Sequence, residues 1–87
     1  MDARKIIGWN LRKLRVEKGL SQERLALEAH IDRAYVGRVE RGKENVTVST
    51  LEALAQVLDV PVAELFVEPA PNAPMPPALP GGRKSTR

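Results

Sequence analysis

Arg33 and Arg38 are the side chains of this chain whose chemistry says most. They belong to the segment GLSQERLALEAHIDRAYVGRVERG, residues 19–42, which reads as two short helices separated by a three-residue turn. The second of these helices carries its arginines where a DNA-reading helix needs them, and a helix-turn-helix points to a function as well as a fold. An arginine fork can bond guanine O6 and N7 together, and each such pair contributes roughly 1–3 kcal/mol of discrimination against the wrong base. Other chemistries find little material. There is no cysteine for a disulfide or a thiolate metal site, and the single His30 cannot hold a metal alone. Neither a nucleophile–base pairing nor a glycine-rich phosphate loop is present, and the acidic residues fall on helix surfaces and near caps. No enzyme, cofactor, metal or small-molecule ligand is expected.

The elements that must position these arginines follow from composition and pattern. The 87 residues allow one small domain, and with one Trp, one Tyr and one Phe its core must come from Leu, Ile, Val and Ala, which suits packed helices. No apolar run is long enough to span a bilayer, and MDARKIIGWN lacks the apolar stretch of a secretory signal, so a cytoplasmic location is expected. Net charge is +3, and its placement matters more than its size. Through Phe66 there are 11 Lys/Arg and 10 Asp/Glu, a balance of +1, and the remainder comes from Arg83, Lys84 and Arg87 against Glu68. Arg4, Lys5, Arg12, Lys13, Arg15 and Lys18 crowd the first helix, whereas Glu52, Asp59 and Glu64 are the only charges from Thr47 to Phe66. Such polarity fits one face meeting phosphates, and equally a solvated surface of mixed charge.

A first helix is predicted from about Ala3 to Glu17, with Ile7, Leu11 and Leu14 as its apolar stripe and Gly19 as its stop. Ser21 is an N-cap for a second helix, about Gln22 to Ala29, with Leu25, Ala26 and Ala29 inward. His30-Ile31 forms the turn, and Asp32 caps a third helix from about Arg33 to Arg41 that buries Val36 and Val39. Thr47 caps a fourth, about Val48 to Leu58, with Leu51, Leu54, Ala55 and Leu58 on its apolar face. Pro61 suits the first turn of a short fifth helix, with Leu65 and Phe66 closing the core. From Val67 onward six prolines forbid a helix, so residues 67–87 are expected to form a disordered, Pro-rich tail with a basic end. The expected organisation is a helical domain over 1–66 followed by that tail.

The run IGWNLRKLRVEKGLSQERLA…IDRAYVGRVERGKENVTVSTLEALAQVLDVPVAELF, from about Ile6 to Phe66, resembles the phage-repressor or Cro-like domain of the xenobiotic-response-element family of bacterial and phage regulators. The resemblance implies an all-α fold of five lambda-repressor-like helices, working as a homodimer on double-stranded DNA, with the docking geometry of the phage repressors. On that geometry Arg33, Ala34, Gly37 and Arg38 face base edges, Ala34 able to touch a thymine methyl and Gly37 permitting close approach. Ser21, Gln22, Lys43, Asn45 and Arg12 would contact phosphates, which positions a protein without specifying sequence. Tyr35 either joins them or packs at the core edge. Arg15 and Glu40 would pair across the first and third helices, as a partly buried carboxylate requires. His30 and Asp59 stand where the family usually has Gly, at positions suited to a left-handed backbone.

Trp9 and Val16 share a helix face roughly opposite Ile7 and Leu14; they either meet a protein partner or cover a neighbouring element. Val60, Val62 and Phe66 are plausible dimer surface. Two functions follow. One is a sequence-specific transcriptional regulator acting as a homodimer on a short inverted repeat. The other keeps the fold but binds a protein, as an antiactivator or adaptor that sequesters another regulator.

Overall fold

Four helices begin with the same device, a polar side chain that accepts a backbone N–H left free by the first turn. In this computed structural model, which describes residues 2–74, α1 (Ala3–Glu17) starts with Asp2 accepting from Lys5 N at 3.0 Å. Ser21 accepts from Arg24 N at 2.9 Å to open α2 (Gln22–Ala29). Asp32 accepts from Ala34 N at 2.9 Å to open α3 (Arg33–Glu40), and Thr47 from Thr50 N at 3.1 Å to open α4 (Val48–Leu58). Each cap is worth about 1 kcal/mol relative to alanine. Two helices end on residues in the left-handed conformation, His30 at φ 60° after α2 and Asp59 at φ 58° after α4.

The last element corrects the expectation of five α-helices. Val62–Phe66 is a 3-10 helix with no side-chain cap, because five residues after Pro61 are too few to sustain α-helical hydrogen bonding. The pairing of Leu65 and Phe66 as core closure also needs correction. Leu65 is fully buried, whereas Phe66, one residue on and turned away, is 50% exposed. α3 ends at Glu40 rather than Arg41, which serves as its C-cap.

The buried face of every element meets one core, in which Leu11, Leu25, Val36, Leu54 and Leu65 have no exposed surface. Leu14, expected in the α1 stripe, is only half-buried at its edge. α1 packs on α3 and on the 3-10 helix, and α2 lies between α3 and α4. The α1–α3 crossing is tight: a Cβ on Gly8 would strike the Val39 carbonyl and sit 2.8 Å from the Glu40 carbonyl oxygen. The chain beyond the 3-10 helix is held at its start, since the buried Asn10 amide donates to Leu65 O at 3.2 Å and Val67 O at 2.7 Å. Residues 75–87, including Arg83, Lys84 and Arg87 of the expected tail, lie outside the described residues.

Candidate nucleic-acid interface

The orientation of α3 is fixed by a buried ion pair. Arg15 of α1 donates from Nε to Glu40 Oε2 at 2.6 Å and from Nη2 to Glu40 Oε1 at 3.1 Å, while its Nη1 reaches Leu20 O at 2.8 Å. The two side chains are 7% and 4% exposed. Gln22, at the first position of α2, donates to the same Glu40 Oε1 at 3.0 Å. One carboxylate therefore ties together α1, the start of α2 and the end of α3. Its charge is compensated by a bidentate partner, the arrangement a buried carboxylate needs.

That tie sets out a surface made of two helix starts. At α2, Ser21 Oγ accepts from Arg24 N, which leaves its hydroxyl proton free to donate outward. The first N–H groups of α2 and the positive end of its dipole lie beside it, and together they suit an oxyanion. At α3 the equivalent position is already filled by the Asp32 carboxylate, so this helix offers side chains rather than its terminus.

Arg33, Ala34 and Arg38 are all exposed on α3. Gly37 is not, which corrects its expected presentation: it is buried, and a Cβ there would lie 3.2 Å from Arg41 Nη1 and 3.8 Å from Gln22 Oε1. The lack of a side chain at Gly37 thus makes room for Arg41 to fold back over α3. Tyr35 is half-buried against the core, and the Arg38 guanidinium carbon stands 5.7 Å from its ring centre. Lys43 and Asn45 are exposed in the loop after α3.

Two partners in this surface carry no sequence pattern of their own. Glu44 accepts from Arg38 Nε at 2.8 Å, the pair being 46% and 26% exposed, and this bond holds the Arg38 guanidinium still more firmly protonated. With Nε engaged, the Nη1/Nη2 edge remains as a two-donor fork. Arg41 is the other. Of the remaining expected residues, Arg12 and Trp9 line a cleft they share with Arg41 and Lys43. Arg12 is half-buried on α1. Trp9 and Val16 are half-buried too, with Lys13 Nζ 6.0 Å above the Trp9 ring. Val62 and Phe66 are exposed and Val60 half-buried, away from α3 on the α4 side.

Comparison with known proteins agrees with this geometry. The helix-turn-helix family model matches residues 11–65, from α1 through Leu65. The chain belongs to this family. It is 45% identical over 74 residues to an HTH-type transcriptional regulator of Sinorhizobium fredii, covering 85% of this chain and 95% of that protein. A hypothetical transcription factor from Neisseria meningitidis is 41% identical over 68 residues, 78% of this chain but 64% of the relative's length. The crystal structure of a hypothetical transcription factor from Neisseria, 41% identical over 78% of each chain, matches with a TM-score of 0.75. The restriction-modification controller protein C.AhdI of Aeromonas hydrophila is 49% identical with a TM-score of 0.71, over 72% of this chain and 96% of that one. The protein is thus a DNA-binding transcription regulator of the xenobiotic-response-element type of helix-turn-helix. Among the described residues no helix is long and apolar enough to cross a membrane, and no cluster of His, Asp and Glu could hold a metal ion.

Proposed function

We propose that this helix-turn-helix protein reads a specific DNA sequence as a homodimer, each copy laying α3 in the major groove of one half of a short inverted repeat. The observation that carries the reading is the pair of exposed arginines on α3, Arg33 and Arg38, beside an α2 N-terminus built to receive a phosphate. Arg33 and Arg38 are the base readers, with Ala34 between them available to a thymine methyl. Ser21, Lys43 and Asn45 hold the backbone and fix the register, and Gln22 does so by exchanging its bond to Glu40 for a phosphate oxygen.

Dimerisation uses the far side of the domain. Val62, Phe66 and Val67 are exposed apolar residues at one edge, adjoining a hollow lined by Ala55, Gln56, Val60 and Val62. A second copy is the natural cover, since a two-fold dimer turns one recognition helix into a reader of a palindrome. The likeness to a restriction-modification controller supports a role of that kind.

Selection of duplexes from a random pool tests the reading. An enriched inverted repeat, bound as two copies per duplex by sedimentation, supports it. Failure to enrich any sequence, with only weak salt-sensitive background, overturns it in favour of a domain that binds protein.

A further inference from the structure

Glu44 is an acidic residue in a loop whose exposed neighbours, Lys43 and Asn45, are proposed to grip phosphate. A carboxylate between them weakens the pull of the loop on a polyanion, so backbone grip does not account for it. Its contacts point to another task. Glu44 Oε1 accepts from Arg38 Nε at 2.8 Å, and the guanidinium carbon lies 5.7 Å from the Tyr35 ring centre, within reach of a cation–π contact. Asp32 adds a second negative charge near the same guanidinium. Arg38 is thus held from two sides although it stands on the exposed face of α3. Arg33, the other exposed arginine of that face, enters none of the salt bridges among the described residues.

We infer that Glu44 is a positioning residue, which holds the Arg38 guanidinium so that it reads a guanine and not a phosphate. The inference rests on the DNA-binding function proposed above. Because Nε is spent on Glu44, Arg38 meets a ligand with Nη1 and Nη2 side by side. Those two donors match the two acceptors of guanine, O6 and N7, whereas adenine opposes one of them with its N6 donor. A phosphate would also accept such a fork. It would, however, bring its charge up to the Glu44 carboxylate, whose Oε2 makes no hydrogen bond among the described residues. The neutral edge of a guanine meets no such repulsion. Holding the side chain beforehand also removes part of the entropy lost when an arginine is immobilised on a base, a cost equivalent to about two- to ten-fold in affinity.

The test is anisotropy titration of the full chain, Arg33→Ala, Arg38→Ala, Glu44→Ala and Glu44→Gln. The duplexes are one selected by the chain, its single-base-pair variants, and the same duplex with 7-deazaguanine, which lacks the N7 acceptor, at each guanine. The pair that each arginine reads is the one at which its alanine variant stops discriminating. For Arg38 that pair should be G·C, and 7-deazaguanine there should weaken the chain but not Arg38→Ala. Glu44→Ala should lose about two- to ten-fold of discrimination at that pair alone, with the pair read by Arg33 unchanged. Glu44→Gln retains an acceptor for Nε and should keep most of that discrimination. Glu44 lies in the loop between α3 and α4, outside the hydrophobic core, so its variants keep the fold. The inference alone is overturned, with the DNA reading left standing, if Arg38→Ala weakens every duplex alike or its pair is not G·C. Unchanged discrimination in Glu44→Ala, equal loss at the Arg33 and Arg38 pairs, or a loss in Glu44→Gln as large as in Glu44→Ala has the same consequence. Selection of no duplex at all overturns the DNA reading, and this inference with it.

Discussion

Removing Glu40 should cost far more stability than removing any other acidic residue of the domain. In Glu40→Ala, Arg15 loses two of its three hydrogen-bond contacts and keeps only Leu20 O, while remaining 7% exposed and charged. Gln22 loses its acceptor as well. Breaking a buried pair from one side costs about 3–5 kcal/mol, because the surviving charge stays desolvated without a partner. Small domains have about 0.05–0.15 kcal/mol of stability per residue, so that loss consumes most of what a domain of this size holds. Glu28 is the comparison: it pairs with Arg24 along α2, the two side chains being 39% and 60% exposed. Such an exposed pair is worth about 0.2–1 kcal/mol. Urea denaturation of Glu40→Ala, Glu28→Ala and the double variant Arg15→Met/Glu40→Met measures all three. The double variant should recover most of the loss, since it leaves no charge behind. A Glu40→Ala cost under about 1 kcal/mol, level with Glu28→Ala, would refute the reasoning that this carboxylate holds α1, α2 and α3 together.

Three further outcomes are expected. Gly8→Ala should lose about 1–3 kcal/mol in thermal or urea unfolding, because its methyl group meets backbone carbonyls of Val39 and Glu40 that cannot swing aside. His30→Gly should raise the melting temperature: relief of the left-handed strain of about 1–2 kcal/mol outweighs the roughly 0.5–1 kcal/mol entropic cost of glycine, for a gain of up to about 1.5 kcal/mol. Glu44→Ala should free Arg38 and remove a negative charge from the DNA-facing loop, so affinity for random duplex rises by about two- to five-fold while discrimination at the base pair read by Arg38 falls; anisotropy with matched and mismatched duplexes measures both.

The helices could be read from the sequence because their boundaries are local. Ser21, Asp32 and Thr47 are caps recognisable by type and by position before an apolar stripe, and each accepts the N–H of its own first turn. The placement of Arg15 against Glu40 came from family resemblance, since no periodicity joins residues 25 apart. What escaped was long-range or depended on a half-turn of backbone. Glu44 reaches Arg38 only because the chain doubles back after α3, so no helical spacing marks it. Asn10 ties α1 to Leu65 and Val67 across more than fifty residues, and in sequence it is an ordinary polar residue on a helix. Leu65 and Phe66 are both apolar, and only the tighter winding of a 3-10 turn decides which of them points inward. Gly37 reads as an open gap on the recognition face until Arg41 is seen lying over it.

The central claim is that Arg38 and Arg33 read bases rather than merely attract phosphates. Binding of the chain and of Arg38→Ala to a selected duplex and to all its single-base-pair variants, by anisotropy at two salt concentrations, tests it most directly. The account predicts that Arg38→Ala loses about 1–3 kcal/mol of discrimination at one base pair of each half-site and leaves the salt slope nearly unchanged. Uniform weakening across every variant, with a salt slope shallower by about one, would show a phosphate contact instead and contradict the claim.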